Sequence, residues 1–88
     1  MKRYTAFYQS EIITENMKVI SNKCSSISFE LLGTSTATID NVIPLTTDKI
    51  REFTEESNII IEHDFALNFD NADVDKKCLV VRTFYKEV

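Results

Sequence analysis

The chain has 88 residues, about half a typical domain length, which leaves room for one domain with a thin core. Ten Lys+Arg stand against 14 Asp+Glu, a net charge of −4 with no basic stripe, and this argues against direct nucleic-acid binding. Hydrophobic residues at 43% and charged residues at 27% are those of a folded chain, not of a disordered one.

The composition favours strands. Ten Ile, six Val, nine Thr and nine aromatic residues outweigh nine Ala and Leu together. β-branched and ring side chains are stiff at χ1 and suit a pleated, half-buried surface, whereas Ala and Leu are what helices prefer. No 15-residue segment carries a clean 3.6-residue apolar stripe, so the fold is expected to be all-β.

In chain order, Tyr4 to Gln9 forms an aromatic-rich strand with Tyr4, Ala6 and Tyr8 on one face. Ile12 to Ile20 divides into two short pieces around Thr14-Glu15-Asn16. Ser25 to Leu32 alternates Ile27, Phe29 and Leu31 against Ser26, Ser28 and Glu30. Gly33 marks a bulge or hairpin corner, and the next strand alternates Thr34, Thr36 and Thr38 with Ser35, Ala37 and Ile39. Asp40-Asn41 suits a tight turn because both residues tolerate left-handed backbone angles. Pro44 belongs at an edge or a strand end.

The segment 48–57 reads two ways. Ile50 and Phe53, three apart, suit a short helix or 3₁₀ turn; Glu55 and Glu56 near its end oppose the helix dipole and favour a loop leading into a strand. From Ile59 to Phe69, Ile59, Ile61, His63, Phe65, Leu67 and Phe69 alternate with mostly polar neighbours, as one long strand or two broken near Glu62-His63-Asp64. A turn over Asp70-Asn71-Ala72-Asp73 precedes a near-continuous apolar strand from Cys78 to Tyr85. Strands at this spacing with short turns predict a single small β-sandwich or partly open barrel.

Candidate chemistry is sparse. The longest apolar runs are four residues, too short for a membrane span, and no apolar stretch follows Lys2-Arg3 to make a signal peptide, so a chain working without Sec-type export is expected. In that setting Cys24 and Cys78 allow one bridge, but two buried free thiols are favoured. They lack Cys-x-x-Cys spacing for zinc or dithiol redox chemistry, and one glycine cannot make a phosphate loop. His63, the sole histidine, reads as a general base or ligand in one view and as a structural histidine in the more economical one. Asn71, Asp73 and Asp75 have the spacing of a calcium loop, but Lys76 replaces its glycine and Arg82 its final Glu, so a solvated acidic turn is favoured. No catalytic, metal or cofactor residue is assigned, and the chain is read as a non-enzyme.

The terminal aromatics carry more weight. Tyr4, Phe7, Tyr8, Phe84 and Tyr85 either meet a neighbouring subunit or are buried when the terminal strands pair with each other. Uncharged strands such as 34–38 are a pairing hazard in a monomer and an asset in an assembly.

The run Phe29-Glu30-Leu31-Leu32-Gly33-Thr34-Ser35-Thr36-Ala37-Thr38-Ile39-Asp40-Asn41-Val42-Ile43-Pro44-Leu45 resembles short β-rich virion proteins of phages, such as those infecting Bacteroidota. With Phe65-Ala66-Leu67-Asn68-Phe69 the resemblance spans residues 25–70. Val42 and Thr46-Thr47 depart from it, standing where tight turns often place Gly. It implies a jelly-roll or sandwich subunit of a capsid, vertex or tail, assembled in the host cytoplasm and partnered by itself and other virion proteins. The competing expectation is a small acidic cytosolic binding module that docks a basic surface through Glu52, Glu55, Glu56 and Glu62.

Overall fold

The computed structural model describes residues 3–56, 59–70 and 74–88. Among these described residues lie eight strands: β1 (Tyr4–Ile13), β2 (Met17–Val19), β3 (Ser26–Leu31), β4 (Ala37–Ile39), β5 (Ile43–Leu45), β6 (Ile50–Thr54), β7 (Phe65–Phe69) and β8 (Cys78–Glu87). They form two four-stranded sheets, ordered β1-β8-β3-β6 and β2-β7-β4-β5, with every pairing antiparallel. First therefore pairs with last, second with seventh, third with sixth and fourth with fifth. This is the connectivity of one long hairpin rolled up on itself, the jelly roll.

Alternation explains the packing. Ile27, Phe29 and Leu31 of β3 lie opposite Arg82, Val80 and Cys78 of β8, and all six are buried. Ala37, Ile39, Leu45, Leu67 and Phe69 supply the inner face of the second sheet. Phe29, Phe53 and Phe65 meet between the layers, with ring centroids 4.8–6.1 Å apart. The thin core thus combines β-branched and aromatic side chains with Leu, Ala and Cys, placed inward by the alternation of the strands.

Turns follow the local chemistry. Asp40 and Asn41 take φ of 54° and 62°, as a type I′ turn requires, and join β4 to β5 with Val42 N–H bonded to the Ile39 carbonyl. Pro44 lies in β5, an edge strand, where its missing N–H is harmless. Gly33 sits at the corner after β3, against the backbone of Asp75 and Lys77.

Three expectations are corrected. Residues 50–54 form strand β6, and no helix occurs among the described residues near 48–57; Ile27 stands opposite Phe53, whose ring the core half-buries. One apolar contact of that kind outweighs a weak three-residue spacing. The Ile59–Phe69 alternation becomes strand only over Phe65–Phe69, because the described residues 59–64 find no ladder partner. The strand expected over 34–39 begins at Ala37, since the Thr34 and Ser35 N–H groups both bond the Asp75 carbonyl instead.

Candidate functional site

The longest pairing joins β1 to β8 without a break, from Tyr4 opposite Glu87 to Ile13 opposite Cys78. β3 covers the other side of β8 only as far as Thr83. Beyond it the two terminal strands continue as a two-stranded ribbon, giving a molecule 51 Å long and 20 by 18 Å across. Its radius of gyration is 13.8 Å, against about 12 Å for a compact chain of this length.

The ribbon holds the terminal aromatics. Phe7 stacks on Phe84 at 5.3 Å, yet Phe7 remains 51% and Tyr8 69% exposed. Terminal strands that pair with each other therefore do not bury all their rings. On the outer face of the same sheet Ile12 and Tyr85 are also exposed.

β1 is an edge strand, and its free backbone groups can be identified. Ser25 N–H bonds the Thr83 carbonyl and Leu32 N–H the Lys77 carbonyl, so odd-numbered residues of β8 face β3. Even-numbered ones then face β1, as Val88 N–H to the Arg3 carbonyl confirms at the strand's end. Alternation leaves the N–H and C=O groups of Tyr4, Ala6, Tyr8, Ser10 and Ile12 directed at the open edge. The other edges are blunted: β2 and β5 have three residues each, with Lys18 in one and Pro44 in the other, and β6 carries Arg51 and Glu52. β1 has ten residues, no Pro, no bulge and one charge, Glu11, which is turned toward Arg82. It lacks the devices that keep an edge from pairing.

Between the β1 edge and β2 opens a cavity of about 380 Å³, lined by Gln9, Ser10, Glu11, Met17, Ile20, Asn22 and Arg82. Arg82, 3% exposed, donates Nε–H to the Ile20 carbonyl at 2.8 Å and Nη2–H to Glu11 at 2.7 Å. Met17 and Ile20 are exposed at its lip. In the sequence Arg82 figures only as the residue in place of a calcium loop's final Glu; its parity with Cys78 and Val80 in β8 is the signal that places it on the core face. A second concavity of about 390 Å³ adjoins Ile20, Asn22, Lys23, Ile61, Glu62 and Asp64.

The other candidates fall elsewhere. His63 Nε2 lies 2.7 Å from Asp40 Oδ2, and its ring stands edge-on to Phe65. Burial pushes the Asp40 carboxyl up, but the Ala66 N–H and His63 hold it below the usual carboxylate range. The pair closes the β4–β5 turn onto β7. Cys24 and Cys78 are free and buried, and burial drives the Cys78 thiol up to about 11, far from a reactive thiolate. Asn71 and Asp73 lie outside the described residues; the Asp75 carboxylate is 3.6 Å from Lys77 Nζ, and Arg82 is in the core. Of the four carboxylates expected to dock a basic surface, Glu52 accepts hydrogen bonds from Ser26 and Thr54, and Glu62 lines the second concavity. Glu55 and Glu56 are exposed after β6. No group of three or more potential metal ligands occurs among the described residues.

The chain matches no family model and no curated protein.

Proposed function

We propose that this chain is a non-enzymatic structural subunit of a virion, in a capsid, vertex or tail, acting through contacts with copies of itself and with other virion proteins. The observation that carries the reading is the β1–β8 ribbon: ten residue pairs long, projecting past the sandwich and exposing Phe7 and Tyr8 on an unprotected edge. In a solitary molecule such an edge invites aggregation; in an assembly it supplies main-chain hydrogen bonds and aromatic anchors. The jelly-roll connectivity adds support by analogy, since that fold recurs in capsids, although it also serves lectins and other binding proteins. Symmetry then multiplies weak contacts into a stable shell.

The test is quantitative mass spectrometry of purified particles. The expected result is the chain at a fixed copy number that survives a high-salt wash. A chain present in infected cells but missing from the particles overturns the reading.

A further inference from the structure

We propose that two copies of this chain pair antiparallel through their β1 edges, in register about Tyr8, so that Phe7 of each copy seats in the cavity beside Arg82 of the other. The inference rests on the subunit reading above and names the first contact of the assembly.

Four observations converge. The open-edge backbone groups belong to the even-numbered residues, so an added strand bonds through Tyr4, Ala6, Tyr8, Ser10 and Ile12. A two-fold axis perpendicular to the sheet at Tyr8 sets Tyr4 opposite Ile12, Ala6 opposite Ser10 and Tyr8 opposite its own copy. Every outward-directed group from 4 to 12 then finds a partner, about ten bonds in all.

Charge agrees with that register. On the other face of the strand Thr5 stands opposite Glu11 and Phe7 opposite Gln9, so no like charges meet. The β2, β5 and β6 edges cannot match this, being short or carrying Pro44, Lys18, Arg51 or Glu52.

The decisive observation is the cavity. Its walls include Gln9 and Glu11, on the same face of β1 as Phe7, and the apolar lip formed by Met17 and Ile20. A perpendicular two-fold keeps the faces matched, so Phe7 of the second copy arrives on the cavity side beside Gln9. Its ring is half exposed in the single chain and supported from behind by Phe84. The partner is therefore a second copy: the projecting ring and the empty hollow lie on one strand, at the spacing that an isologous pairing requires.

Light scattering and sedimentation of the full chain, up to about 1 mM, are expected to give twice the 10.1 kDa chain mass. Ser10→Pro removes an N–H that no bond to β8 uses, and it is expected to weaken self-association by about 100-fold while leaving the circular dichroism spectrum unchanged. In a mixed labelled and unlabelled sample, isotope-filtered NMR is expected to show an intermolecular contact between the Phe7 ring and the Met17 methyl. A strictly monomeric wild type overturns the pairing. So does a dimer that Ser10→Pro leaves intact, or one without the Phe7–Met17 contact. The subunit reading survives each of these if the chain is still found in particles.

Discussion

Arg82 and Glu11 tie β8 to β1 by a 2.7 Å bond, and the guanidinium that makes it is almost wholly buried while the carboxylate is 44% exposed. The same guanidinium reaches the Ile20 carbonyl after β2, so one side chain links both sheets at the open side of the sandwich. Buried charge is tolerated only when paired, and here the pairing also shapes the cavity floor. Glu11→Gln keeps an acceptor but leaves the cation uncompensated, and it is expected to cost about 1 kcal/mol, moderated by solvent at the carboxylate. Arg82→Lys cannot span both partners in fixed geometry and is expected to cost about 2–4 kcal/mol. Urea midpoints measure both. A near-neutral Arg82→Lys would show that the inter-sheet link contributes little.

Gly33 is required by a close approach, not by its backbone angle. Leu32 and Gly33 N–H groups both bond the Lys77 carbonyl, and Thr34 and Ser35 bond that of Asp75, which wraps the corner tightly onto the start of β8. A Cβ there would collide with the Asp75 carbonyl oxygen. Since that neighbour is backbone, the clash cannot be relieved by a rotamer change. Gly33→Ala is expected to cost about 1–3 kcal/mol in chemical denaturation, and Gly33→Val more. An unchanged midpoint for Gly33→Ala would mean that the corner is loose.

Lys23 pays for a turn that suits another residue. Asn22 and Lys23 take φ of 55° and 61°, and the Cys24 N–H bonds the Ser21 carbonyl across them. Asn tolerates this region and Lys does not, at about 1 kcal/mol for a side chain without local hydrogen bonding. Lys23→Asn is expected to raise stability by about 0.5 kcal/mol, and Lys23→Val to lower it by about 1–2 kcal/mol. Thermal melts at matched pH decide it, and the opposite order of the two variants would refute the strain.

Much of the fold was legible because alternation is a direct property of strands. Ser25–Leu32 and Cys78–Tyr85 fell within two residues of β3 and β8, the break at Thr14-Glu15-Asn16 lies between β1 and β2, and Asp40-Asn41 is the turn expected. What failed were contests between local signal and distant partners. Ile59, Ile60 and Ile61 alternate or run apolar as a strand would, but a ladder needs a neighbour, and β7 starts only at Phe65. The Asn22-Lys23 turn was missed because Lys gives no turn signal. At the candidate site the exposed terminal aromatics could be anticipated from sequence, but the cavity could not, since Arg82 is far in the chain from Gln9 and Met17 and meets them only when β8 pairs with β1 and the two sheets stack.

The Asp40–His63 pair predicts a specific acid response. The Asp40 carboxylate accepts from Ala66 N–H at 2.9 Å and lies 2.7 Å from His63 Nε2, and these contacts hold its proton affinity below that of an ordinary carboxylate. A carboxyl whose pKa is depressed on folding contributes stability above its unfolded value of about 3.9, and loses that contribution as pH falls through the folded value. Asn at position 40 tolerates the same left-handed backbone and keeps one acceptor, so Asp40→Asn removes the charge and spares the turn. Because the side chains are 27% and 60% exposed, the effect is expected to be small, about 0.5 kcal/mol at pH 6. It should shrink as pH falls through the lowered folded value of Asp40, where the wild-type carboxylate itself takes up the proton. Urea midpoints of both proteins from pH 3 to 7 trace the difference. A gap that stays constant through the acid range would assign the contribution to shape alone, not to the charge that binds Ala66 and His63.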